Sequence, residues 1–148
     1  MRRKCVPRRR AGAAALEFAI ACPLLFLIFL GMVEIGRAMM VAGSVANAAR
    51  VGARSAAVSG GSYSSCTSSV AAVLSDAGLP SGTAPTVTVN GVAVTDDASF
   101  QAAAVPGATI TVQVSLSYSS VSWVPGGGAL FMSPGQSISA STTMTREG

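Results

Sequence analysis

Few side chains in this sequence could carry bond-breaking chemistry, and their spacing does not suit it. The chain has no histidine, which removes His-based catalytic triads and His-containing metal sites. Its three cysteines, Cys5, Cys22 and Cys66, have neither metal-ligand nor redox-motif spacing. Asp96 and Asp97 are adjacent, so on a continuing strand their side chains would diverge, and the pair reads as a turn. Gly126-Gly127-Gly128 has no Lys-Ser/Thr and no helix start after it, so it is not a phosphate loop. No paired carboxylates stand ready for acid–base work. No catalytic residue, metal or cofactor is expected, and the chain reads as a non-enzyme.

One ionisable residue is conspicuous by its surroundings. Glu17 lies inside the apolar stretch AGAAALEFAIACPLLFLIFLGMVEIG, residues 11–36. A carboxylate near the middle of a bilayer costs roughly 2.5–3.5 kcal/mol, and such charges usually have a partner and a task. Close to the cytoplasmic end of the stretch, the same carboxylate could instead reach the headgroups at small cost.

The element that carries Glu17 is a membrane span. Residues 12–33 number 22, about 33 Å of helix against a hydrocarbon layer of roughly 30 Å. Pro23, near its middle, should bend it, which membrane helices tolerate. Arg2, Arg3, Lys4, Arg8, Arg9 and Arg10 precede the stretch. After Gly12 come four basic and six acidic residues, a net charge of −2. So short a basic head directly before an apolar run reads as a topogenic signal that stays cytoplasmic, and not as a nucleic-acid grip. A cleaved secretory signal fits less well. The run is longer than the usual apolar region, and Glu34 and Arg37 separate it from the A-x-A pattern Ala46-Asn47-Ala48. A core helix of a soluble protein would need other apolar segments around it, and none is apolar enough.

Gly12-Ala13-Ala14-Ala15-Leu16-Glu17-Phe18, after a run of arginines, resembles the type IV prepilin processing signal. The resemblance implies cleavage after Gly12 by a prepilin peptidase, leaving Ala13 first, Glu17 fifth and Phe18 sixth. A Glu-aromatic pair is typical of the Flp branch, usually with tyrosine, where this chain has phenylalanine. The new α-amino group of one subunit could pair with Glu17 of its neighbour, offsetting the cost of an isolated charge and setting axial register. Over residues 10–58 the chain resembles the TadE-like family, the minor pseudopilins of tight-adherence (Flp) pilus systems. Ala-Leu-Glu-Phe, Pro23, Glu34-Ile35-Gly36-Arg37, Asn47-Ala48-Ala49-Arg50 and Gly52-Ala53-Arg54 carry that likeness.

Helical character continues past the membrane. Glu34 and Arg37, three apart, can pair on one face. Asn47, Arg50 and Arg54 form one stripe, and Val41, Val45, Ala48 and Gly52 another. The Arg50–Arg54 stripe suits a solvated face, anionic headgroups or docking subunits.

Composition shifts at Ser59-Gly60-Gly61-Ser62, a turn or linker. Val70, Val73 and Leu74 predict a helix over 67–77, with Gly78 as C-cap and Pro80 after it. Asn90-Gly91 predicts a hairpin in which Val89 faces Val92 and Val87 faces Val94. Residues 110–118 alternate without a break, 137–145 form a weaker strand, and 124–135 a Pro/Gly-rich loop. Beyond Ser59 only Tyr63, Phe100, Tyr118, Trp123 and Phe131 are aromatic, so the core is modest and suits a domain that packs against partners.

The expected class is α+β: a long N-terminal transmembrane helix continuing into a juxtamembrane helix, then a small helix and an antiparallel sheet. The expected parts are a basic leader (1–12), the helix (13–58) and an exported domain (59–148). The chain reads as a minor pilin-like subunit of the bacterial inner membrane, N-terminus cytoplasmic and domain outside. Its expected partners are the lipid bilayer, other pilin-like subunits, the pilus secretion machinery and, if cleaved, prepilin peptidase. The alternative is a permanently anchored protein displaying a small β-rich binding domain.

Overall fold

The computed structural model describes residues 9–123 and 135–148, with side chains from residue 12 onward. The leader through residue 8 and residues 124–134 of the expected loop, with Gly126-Gly127-Gly128 and Phe131, lie outside the described residues. In chain order the elements are α1 (Arg9–Ala57), α2 (Tyr63–Asp76), β1 (Thr86–Val89), β2 (Val92–Val94), α3 (Asp97–Ala103), β3 (Thr109–Ser117), a 3₁₀ turn (Tyr118–Ser120) and β4 (Ser137–Thr145). The class is α+β, as the sequence implied.

α1 has 49 residues and continues through Pro23, so it extends about 74 Å. It is long and apolar enough to cross a membrane. Residues 12–30 are exposed apart from half-buried Cys22, and Gly31 and Glu34 are the first buried residues of the helix. Further on, Val41, Val45, Ala48, Ala49, Ala53 and Ala56 are buried at 3% exposure or less. The second half of the helix therefore supplies core to the domain that follows it.

Small residues let the neighbours approach. A methyl added at Gly52 would lie 2.5 Å from Val70 Cγ2 of α2, 3.3 Å from Cys66 Sγ and 3.5 Å from Val112 Cγ1 of β3. Three elements meet over that missing side chain. At Gly61 the chain folds back so closely on the end of α1 that a methyl would meet the Ser55 carbonyl oxygen at 2.5 Å.

α2 starts four residues before the expected 67 because Ser62 caps it: its hydroxyl accepts from Ser65 N–H, and Ser65 returns the bond. Gly78 takes the left-handed conformation just past its end (φ 66°). The sheet is antiparallel throughout, in the order β2-β1-β3-β4. The hairpin has the expected register, Val87 opposite Val94 and Val89 opposite Val92. Asn90 and Gly91 both have positive φ, 50° and 82°. Ile110, Val112, Val114 and Leu116 of β3 point into the core, and α1 lies across β3 and β4. At the far end, Glu147 N–H donates to the Ala57 carbonyl at 2.9 Å, tying the end of the chain to the end of α1.

α3 is an element the sequence reading missed. Asp96-Asp97, expected as a turn, instead opens a seven-residue helix. Asp96 accepts from Ser99 N–H at 2.7 Å in a capping box, and Asp97 accepts from Ser64 N–H at 2.8 Å. Phe100 of α3 is fully buried.

Candidate functional site

The residues singled out from sequence fall at three levels of α1. Gly12, Ala13, Glu17 and Phe18 lie on its free first part, all exposed. Among the described residues, no side chain bonds the Glu17 carboxylate. At the far level, Asn47, Arg50 and Arg54 are exposed on the side away from the buried stripe. Asn47 borders a shallow groove of about 330 Å³ with Ser44 of α1 and Val73 and Asp76 of α2.

The middle level is the most constructed. Glu34 is 2% exposed, among the most buried side chains of the chain. It comes seven residues before Val41 and eleven before Val45, so it shares their face and meets the domain. Tyr118, at the end of β3, donates its hydroxyl to Glu34 Oε1 at 2.6 Å. The Ser122 hydroxyl and the Trp123 backbone N–H also bond that carboxylate. Such donors are what a buried carboxylate requires. Arg37, one turn on, donates its Nε to the Val121 carbonyl. Its guanidinium carbon lies 4.4 Å from the centre of the Trp123 ring. Both side chains turn to residues 118–123, and the Arg37 charge still acts on the Glu34 carboxylate. That segment offers hydroxyl and amide donors to the carboxylate, and a carbonyl and a ring face to the guanidinium.

Electrostatics follow the packing. Burial, and then the bond to Glu34, push the Tyr118 phenol up to about 12, so it stays a donor at neutral pH. Burial raises the Cys66 thiol to about 11, which keeps it out of the reactive thiolate form. Hydrogen bonds from Ser99 hold the Asp96 carboxyl below its ordinary range. The acidic pair and the Cys66 thiol are therefore engaged in structure. Among the described residues no three His, Cys, Asp or Glu side chains gather as a metal site. A concavity of about 460 Å³ lined by Leu25, Phe26, Ile28, Phe29 and Met32 lies on the free apolar helix, where acyl chains would fill it.

Sequence reasoning missed Tyr118, Val121, Ser122 and Trp123 as partners of the helix. Two signals were available. Glu34 is in phase with the Val41–Val45 stripe, and Tyr118 ends the inward-facing alternation of β3 with a side chain that needs an acceptor.

A family model described as TadE-like protein matches residues 12–54. No curated protein and no solved structure matches the chain. The matched segment is the apolar part of α1 together with most of the half that packs on the sheet.

Proposed function

We propose, from the premise that residues 12–54 are TadE-like, that this chain is a membrane-inserted minor pilin-like subunit that helps assemble a Flp-type, tight-adherence pilus. The observation that carries the reading is Glu17. It is a carboxylate on the free apolar half of a helix with that family match, exposed and without a partner among the described residues. A charge so placed calls for a counter-charge from another molecule.

In this reading the basic leader stays in the cytoplasm and prepilin peptidase cuts after Gly12. Ala13 then carries a positive amine, which pairs with Glu17 of an adjacent subunit, and Phe18 packs beside that contact. The domain lies outside the inner membrane, consistent with basic residues remaining inside. Residues 1–12 act as leader, 13–58 as anchor and spacer, and 59–148 as the exported domain, which borrows the second half of α1 for its core. Asn47, Arg50 and Arg54 face outward and are free to meet other subunits or the secretion machinery.

The test is Glu17→Ala in a piliated host. The variant should insert in the membrane at the wild-type level, because removing a charge from the span favours insertion, yet it should lose piliation. Wild-type pili in that strain would remove the role given to Glu17.

A further inference from the structure

Packing of the domain against α1 is seen from Glu34 onward, just past the exposed apolar part of the helix. The polar domain cannot enter the hydrocarbon, so this level fixes where the membrane surface meets it. Arg37 is three residues past Glu34, about 4.5 Å along a helix. A headgroup layer is roughly 5–7 Å deep on each side, so Arg37 lies within it. Helical side chains lean toward the helix N-terminus, which here is toward the bilayer.

Trp123 is held at the same level. Its ring stacks on the Arg37 guanidinium and it is 70% exposed. It is not a loose surface residue, since its own N–H, with Ser122 and Tyr118, is bonded to the buried Glu34. Elsewhere around the helix, Ile35 is 58% exposed at nearly the same depth. A large ring with one polar N–H, fixed beside a cation at headgroup depth, matches the chemistry of a lipid interface. Indoles gather there, and guanidinium pairs with phosphate.

We infer that Trp123 and Arg37 form a lipid-headgroup contact that seats the exported domain on the outer face of its own membrane. The indole enters the glycerol level and the guanidinium meets lipid phosphate. Glu34 is the strap that keeps the segment from lifting away. This inference rests on the membrane span and is independent of any pilus role.

Trp123 is the chain's one tryptophan, so its fluorescence reports this place alone. The full-length protein is reconstituted into vesicles of phosphatidylcholine and phosphatidylglycerol containing nitroxide-labelled lipid. A label at the glycerol end of the acyl chain should remove at least about half of the emission, as expected for an indole at the interface. A label at the chain terminus should remove far less. Arg37→Ala should weaken the shallow quenching, and more so when phosphatidylglycerol is present. Emission that no lipid label quenches overturns the inference, whether the ring is open to aqueous iodide or shielded by a second protein molecule. Resistance of the same sample to alkaline extraction shows that the helix is inserted, which separates failure of the seat from failure of the span.

Discussion

Residues 12–30 and residues 41–57 of α1 share one backbone ladder but have opposite surroundings. In the first part Leu16, Phe18, Ile20, Leu24, Leu25 and Phe26 are 62–70% exposed. In the second, Val45, Ala48, Ala49, Ala53 and Ala56 are wholly buried. Apolarity is therefore common to both, and side-chain size tells them apart. Bulky residues all round a helix have no use for protein neighbours and face lipid. Alanine, glycine and valine on one stripe let α2 and the sheet come within contact distance. Glu34 stands at the boundary, where the helix passes from one solvent to the other.

The largest expected effect comes from breaking that boundary. Glu34→Ala leaves Tyr118, Ser122 and the Trp123 N–H without their acceptor. With three donors left unsatisfied at about 1–3 kcal/mol each, it should cost the domain roughly 3–5 kcal/mol. Thermal unfolding in detergent micelles measures it, and Leu25→Ala on the free half should leave the same transition in place. A Glu34→Ala midpoint equal to wild type would show that the boundary contact contributes nothing.

A smaller effect separates two glycines of the same helix. Gly52→Ala drives a methyl against Val70 Cγ2 at 2.5 Å, and a β-branched side chain has little freedom to yield. The expected loss is about 1–3 kcal/mol. Gly43 has nothing within 4 Å of an added methyl, so Gly43→Ala should leave stability unchanged or raise it by up to about 1 kcal/mol through helix propensity. Equal responses at the two positions would contradict the contrast between an open face and a packed one.

An effect of similar size is a pH dependence at the junction. The Tyr118 pKa is raised on folding to about 12 from an ordinary 10.0. Above pH 10 the unfolded chain releases its proton before the folded one does, so stability should fall as pH rises from 10 toward 12. Tyr118→Phe should be less stable at neutral pH by roughly 1.5–3 kcal/mol, the worth of a hydrogen bond to a charged group. It should also lack this alkaline component. Denaturant titrations of the two proteins at neutral and alkaline pH would measure both.

The hairpin and the two long strands were legible because their signals are local. Asn90-Gly91 accommodates positive φ at both positions, and the alternation of residues 110–118 can satisfy only one face. The helix and its burial stripe were legible for the same reason. α3 was not: within Asp97–Ala103, Phe100 is the one buried anchor, and the Asp96–Ser99 capping box was passed over in favour of a turn. The Glu34 contact was not legible either, because its partners lie 84 residues away and close only when β3 packs on α1. The local spacing showed only its neighbour Arg37, whose charge still acts on it, and the tertiary contacts come in addition.

The central functional claim is that this helix begins, in the mature subunit, with an amine for Glu17 to meet. Identifying the N-terminal residue of the protein extracted from membranes of a piliated host tests this most directly. Ala13 is the residue the account requires; a chain that still begins at Met1 would contradict it and leave a permanently tethered domain.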